Sequence, residues 1–297
     1  HGEFGIGGIA VDGAKVLDQF IPPHVNEKFN KGDFDLDGNF DLVFQSGGSL
    51  LVWFMNGNQR INTANITPTT DPAWKTKGAC DLNRNGKVDL VLQNDDSTIG
   101  FWDMNETTLV TSGLFVPSQP SDINWRLTGT GDFNRDSKMD LLWQHTDGTL
   151  AAWFLDGTEM TSASGLNPNH PGDAKWRVVG SGDFDLDGKP DLVFQYGDPG
   201  QPADGLLAVW RMDGITLKTG GSGLTDPSNP SDPKWRVTAT EDFDEDGYTD
   251  LIFQYKNPGQ AGDGNLAVWF MTGTTMREGL LLNPVNPGQG WNLAAPK

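Results

Sequence analysis

Asp183-Phe-Asp-Leu-Asp-Gly-Lys-Pro-Asp-Leu-Val-Phe-Gln195 is the stretch that decides how this chain folds. Oxygen side chains stand at positions 1, 3, 5 and 9 (Asp183, Asp185, Asp187, Asp191), and Gly188 at position 6 allows a sharp turn without a Cβ. With the carbonyl of position 7, such a loop can close around one hard cation. Four further copies follow the same spacing: Asp33, Asp35, Asp37, Asp41; Asp81, Asn83, Asn85, Asp89; Asp132, Asn134, Asp136, Asp140; and Asp242, Asp244, Asp246, Asp250. An EF-hand needs a bidentate Glu at position 12, where these copies carry Phe44, Leu92, Trp143, Phe194 and Phe253. Each closing Asp runs into a short apolar pentad ending in Gln, such as residues 41–45 and 250–254. Rich in β-branched and aromatic residues, these pentads predict strands, so the acidic loop is a β-hairpin turn.

The bulk composition narrows the partners. A net charge of −19 excludes nucleic acid as a favoured ligand, because phosphate binding needs a basic face. The ligand positions of the five loops hold 17 Asp out of the 40 acidic residues, and five divalent ions would bring the charge to −9. Repulsion inside each empty loop links metal binding to folding. No stretch approaches 18 apolar residues, so no helical membrane insertion is expected. The single Cys80 rules out an intrachain disulfide framework. It replaces the Gly of other repeats (Gly32, Gly131, Gly182), which predicts a small buried filler.

The acidic loops recur every 48 to 59 residues, a period that means a propeller or another repeat array. Aligned copies give one unit of four short strands. The first opens at Trp74, Trp125, Trp176 or Trp235 (Asn26 in the first copy) and enters the acidic loop; the Gln-ending strand leaves it. The third strand carries Trp53, Trp102, Trp153, Trp210 or Trp269, and Asn-Gly or Asp-Gly turns such as 56–57, 156–157 and 213–214 lead to the fourth. Four antiparallel strands per repeat make a β-propeller blade. Large flat side chains at fixed places in every blade are expected to form the core between blades.

We therefore expect an all-β, four-stranded-blade propeller, with repeats at approximately 26–73, 74–124, 125–175, 176–234 and 235–290. Trp291-Asn-Leu-Ala-Ala295 reads as the start of a sixth unit, and residues 6–13 align with a third strand and its turn. The expectation is six blade positions, the last a composite of residues 1–25 and 291–297, with five blades as the alternative.

Phe-(Asp/Asn)-x-Asp-Gly-x-x-Asp-Leu after a Gly-Asp step resembles the FG-GAP/VCBS repeat of integrin α-subunit propellers and bacterial surface proteins, and is similar to fungal integrin-like lectins. The resemblance covers roughly residues 26–297. It implies that each loop binds Ca2+, up to five ions, through the Asp and Asn residues above and the carbonyls of Asn39, Lys87, Lys138, Lys189 and Tyr248. Two copies depart from the pattern. Asn83 and Asn85 leave the second loop two carboxylates, so it should bind most weakly, and Ser137 replaces the glycine of the third.

Strand alternation puts the acidic loops on one face and the long second-to-third-strand loops on the other. Those long loops carry Tyr196, Gln201, Asp204, Tyr255, Gln260 and Asp263, residue types that can stack on and hydrogen-bond sugars. The expected function is a non-enzymatic, calcium-stabilised, lectin-like or adhesive module, secreted or on the cell surface, for glycans or surface polymers. A polysaccharide lyase is the enzymatic alternative, although the chain holds only four His and three Tyr and no nucleophile elbow or phosphate loop. The third reading is a structural spacer.

Overall fold

The structure, a computed structural model, describes residues 31–297. Residues 1–25, Asn26 and the strand expected at 6–13 lie outside the described residues. Among the described residues every regular element is a strand, and the 20 strands form five four-stranded antiparallel sheets.

Blade 1 contains β1 (Leu42–Ser46), β2 (Ser49–Asn56) and β3 (Gln59–Ile66), and takes its innermost strand from the far end of the chain, β20 (Asn292–Ala295). Blade 2 is β4 (Trp74–Cys80), β5 (Asp89–Asn94), β6 (Ile99–Asn105) and β7 (Thr108–Leu114). Blade 3 is β8 (Trp125–Gly131), β9 (Asp140–His145), β10 (Leu150–Asp156) and β11 (Glu159–Gly165). Blade 4 is β12 (Trp176–Gly182), β13 (Asp191–Tyr196), β14 (Leu207–Asp213) and β15 (Thr216–Leu224). Blade 5 is β16 (Trp235–Glu241), β17 (Asp250–Tyr255), β18 (Leu266–Thr272) and β19 (Thr275–Leu281).

The expectation of six blades is therefore corrected to five. The Trp291 segment does take the role of a first strand, but its partner is β1, with Phe44 opposite Leu293 and Gln45 opposite Asn292. A composite blade closes the ring, and it is blade 1 itself. The innermost strands touch in a complete circuit: β20 with β4, β4 with β8, β8 with β12, β12 with β16, and β16 with β20.

Two further circles of bonds hold the blades together. The Gln ending each second strand is buried and reaches the first strand of the next blade. Gln144 Nε2 donates to Trp176 O at 2.9 Å, while Val178 N donates to Gln144 Oε1 at 3.0 Å. Gln45 does the same with Trp74 and Thr76, Gln93 with Trp125 and Leu127, and Gln195 with Trp235 and Val237. Gln254 closes the circle on Trp291 O at 2.9 Å and Leu293 N at 3.0 Å. At the rim, parallel bridges tie neighbouring blades at Thr67 and Thr108, Val116 and Glu159, Asn167 and Thr216, Asp226 and Thr275, and finally Asn283 and Gln59.

The core is five apolar clusters, one in each seam between blades. Both repeated tryptophan positions contribute. Trp53 and Trp210 are buried and the other eight are half-buried. Third-strand tryptophans pack on the aromatic residue at loop position 12, as in Phe44–Trp53 at 4.8 Å and Phe194–Trp210 at 4.9 Å between centroids. First-strand tryptophans pack beside the residue after the Gln, as in Trp176–Tyr196 at 5.1 Å. Cys80 is fully buried, and burial pushes its thiol up to about 12, the behaviour of an inert filler.

Candidate metal centres

In blades 2 to 5 the acidic loop joins the innermost strand to the second, and in blade 1 it leads into the second strand, β1; each loop's backbone is folded by its own side chains. Position 1 accepts two N–H bonds from across the loop: Asp183 from Asp187 N at 3.2 Å and Gly188 N at 2.7 Å, and Asp81 from Asn85 N at 3.0 Å and Gly86 N at 2.8 Å. Asp33, Asp132 and Asp242 repeat that pair. Position 5 (Asp37, Asn85, Asp136, Asp187, Asp246) accepts the N–H of position 7 (Asn39, Lys87, Lys138, Lys189, Tyr248) at 2.8–3.0 Å. Position 3 of the second and third loops also joins in, with Asn83 accepting from Asn85 N and Asn134 from Asp136 N.

Position 9 is the anchor. Asp41, Asp89, Asp140, Asp191 and Asp250 are buried, and each spends both oxygens on backbone N–H groups. Asp191 accepts from Phe184 N of its own loop at 3.0 Å and from Met212 N of the third strand at 2.7 Å. The other four make the same two bonds in their blades. The closing Asp thus ties the loop to the sheet, and its N–H bonds leave further lone pairs for a cation.

The backbone needs more than the position-6 turn. Gly188 has φ 79°, and Ser137, which replaces glycine in the third loop, sits at φ 64°. Position 4 is left-handed in all five copies: Leu36, Arg84, Arg135, Leu186 and Glu245 have φ between 58° and 63°. The sequence gives no sign of this, because none of those residues favours the left-handed region.

In three loops the carboxylates converge. Oxygens of Asp33, Asp35 and Asp37, of Asp183, Asp185 and Asp191, and of Asp242, Asp244 and Asp246 lie within 4.8 Å of one another. In addition, Oδ1 of Asp185 and of Asp244 is buried and has no hydrogen-bond partner. A buried carboxylate oxygen without a partner is costly in water-free surroundings and is satisfied by a cation. The donor set is all oxygen, which suits a hard divalent ion better than a soft one. These clusters could hold a metal.

Their electrostatics agree. Burial raises Asp33, Asp35 and Asp183 above the ordinary carboxylate range. It pushes Asp41 and Asp250 up to about 8 and Asp140 and Asp191 up to about 7, against their N–H bonds, and raises Asp89 as well. Such groups bind protons in the folded metal-free protein that the unfolded chain has already released. Between about pH 4 and 8 the folded state therefore holds more protons, and its stability falls as pH rises. In chelator we expect the Tm to drop by roughly 10 °C from pH 5 to pH 8. A melting temperature that rises across that window would contradict the burial of these carboxylates.

The two faces assign as the strand order requires. Lys138 and Lys189 of the acidic loops pair with Asp156 and Asp213 at the ends of third strands, so loops and hairpin turns share a face. On the opposite face, Tyr196 Oη donates to Asp173 at 2.7 Å and Tyr255 Oη to Asp232 at 2.8 Å, joining long loops to inter-blade links. Asp204 is buried, pairs with Arg236 at 2.9 Å and accepts from Asp198 N; Asp263 accepts from Asn257 N. Gln201 and Gln260 are exposed on the same loops. Four of the six loop residues picked for sugar contact thus also hold the loops in shape.

Two grooves on the seams were not foreseen. One, of about 220 Å3, is lined by Trp176, Phe194, Trp210, Ser222 and Leu224, with Pro171 from the preceding link. The other, of about 230 Å3, is lined by Trp74, Leu92, Trp102, Ser112 and Leu114, with Thr70. They occupy equivalent places in blades 4 and 2.

Solved structures similar to this chain include the β-propeller domain of Cps50 (Swd1) from Myceliophteria thermophila, at 12% identity over 81% of this chain and 69% of that one, with a TM-score of 0.38. A chain of a nidogen/laminin complex is 11% identical over 86% of this chain and 99% of that one, with a TM-score of 0.47. The Tc holotoxin pore of Photorhabdus luminescens is 13% identical over 91% of this chain and 13% of its own, with a TM-score of 0.44. No curated protein matches the sequence. The model of the FG-GAP-like repeat family matches residues 33–92, 81–143 and 132–194. That match takes in more than half of the sequence, and the chain belongs to the FG-GAP-like repeat family.

Proposed function

We propose that this propeller is a calcium-stabilised, non-enzymatic binding module that recognises carbohydrate, working outside the cell or on its surface. The observation that carries the reading is the pair of equivalent seam grooves, each lined by two tryptophans, a buried apolar residue (Phe194 or Leu92), and an exposed serine and leucine. Indole faces suit the apolar faces of a sugar ring, and hydroxyls such as Ser112 and Ser222 suit its rim. At 220–230 Å3 the grooves are smaller than the ~300 Å3 lower end for drug-sized ligands, which leaves room for one sugar unit each. Two like sites on one rigid ring favour a polymer that repeats the same unit, through avidity. Leu114 and Leu224, the groove leucines, are exposed at equivalent places, where they would otherwise face water.

Calcium fits as the structural ion, since the converging oxygens are on the far face from the long loops. Millimolar calcium outside cells suits loops of this kind.

The test is a glycan array run beside a polysaccharide-lyase assay on one calcium-loaded sample. Array binding without unsaturated product is expected. Trp74→Ala with Trp176→Ala should weaken that binding about tenfold or more while the protein still melts cooperatively. Unsaturated product would replace this reading with the lyase, and silence in both assays would leave the spacer.

A further inference from the structure

The third residue of the fourth strand divides the blades into two kinds. Blades 1, 2 and 3 carry Ile61, Val110 and Thr161 there; blades 4 and 5 carry Lys218 and Arg277. That strand starts beside the acidic loop of its own blade. Lys218 Nζ lies 2.7 Å from Asp185 Oδ2 and 2.7 Å from Asp187 Oδ2, bridging positions 3 and 5 of the loop. Arg277 does the same in blade 5, with Nη1 at 2.6 Å from Asp246 Oδ2 and Nη2 bonded to Asp244 Oδ2. In blade 1 the carboxylates converge as closely, yet among the described residues no lysine or arginine pairs with Asp35 or Asp37.

We propose that Lys218 and Arg277 are tethered counter-ions that set the metal affinity of the loops in blades 4 and 5, a deepening that rests on the calcium reading above. A cation held on the same chain competes with a divalent ion for the position 3 and 5 carboxylates. The divalent ion must first displace it, and the affinity falls by the strength of the ion pairs lost. The partly buried pairs are stronger than exposed ones. The tethered cation is also an incomplete substitute. It bonds Oδ2 of Asp185 and Asp244 and leaves the buried Oδ1 of each without a partner. The loop therefore remains built for a better-coordinated ion.

Charge counting alone ranks loops 1, 4 and 5 together, since each has four carboxylates. With the tethered cations the ranking changes. Loop 1 becomes the tight, always-filled site, and loops 4 and 5 become sites that fill at higher calcium while keeping a cation, and hence their shape, when calcium is scarce. Repulsion in the empty loops is relieved in the two blades that carry the tethered group.

Calorimetric calcium titration of the chelator-stripped full chain tests this, with melting curves in chelator as a second readout. Lys218→Met and Arg277→Met should each raise the affinity of one site about tenfold and lower the melting temperature of the calcium-free protein. The reverse change, Ile61→Lys, should weaken the tightest site by about the same factor, which keeps the test open if a methionine variant folds poorly. Calcium uptake with isotherms unchanged in all three variants would overturn the counter-ion role and leave the calcium reading standing. Absence of calcium uptake by the unaltered chain would overturn both.

Discussion

Stripping divalent ions at pH 7.5 should lower the melting temperature of this protein by roughly 20 °C. A site held at 100-fold excess over its Kd contributes about 2.7 kcal/mol, and three carboxylate-rich loops would together contribute about 8 kcal/mol. For a chain of this size each kcal/mol moves the Tm by about 2–4 °C. The three are the loops in which carboxylate oxygens converge within 4.8 Å. Emptying leaves like charges facing one another in the loop at Asp33, and leaves only the tethered Lys218 and Arg277 on the carboxylates of the other two. Readdition of calcium should restore the transition, and magnesium should do so less well, because it demands stricter octahedral geometry. The same melting temperature with and without chelator would show that the N–H bonds to Asp41, Asp89, Asp140, Asp191 and Asp250 suffice to hold the loops.

The second large effect concerns closure of the ring. Truncation after Gly290 removes β20, whose Leu293 and Ala295 are buried in the cores on either side of blade 1. It also leaves Gln254 and the inner edge of β1 without their partners. Blade 1 would then be three strands with an open edge at the axis, and we expect loss of the cooperative transition together with aggregation. The point version is Gln254→Leu. It removes one donor and one acceptor from a fully buried position and strands Trp291 O and Leu293 N. Each unsatisfied group costs about 1–3 kcal/mol, so a Tm loss of roughly 10 °C is expected. A truncated chain that melts within a few degrees of the full one would mean that the ring is not closed through β20.

Much of this was legible in the residues. The acidic spacing placed the loops, the pentads placed the second strands, and the Trp positions placed the first and third strands to within a residue or two. Blade number was not legible, for a physical reason. Trp291-Asn-Leu-Ala-Ala295 carries the pattern of a first strand whether it begins a new blade or completes an old one, and only pairing with Phe44 and Gln45 decides. The role of the repeated Gln was hidden for a similar reason, since its partners lie 29 to 42 residues away on another blade. Lys218 and Arg277 belong to no repeated motif, and only the close return of the fourth strand to the loop brings them to their carboxylate partners.

The most direct measurement is a difference density map from crystals equilibrated in millimolar calcium. The account predicts a strong peak inside each of the loops that begin at Asp33, Asp183 and Asp242, ringed by side-chain oxygens, with Lys218 and Arg277 swung away from Asp185 and Asp244. Loops that hold only water, with both cationic side chains still seated on those carboxylates, would contradict it.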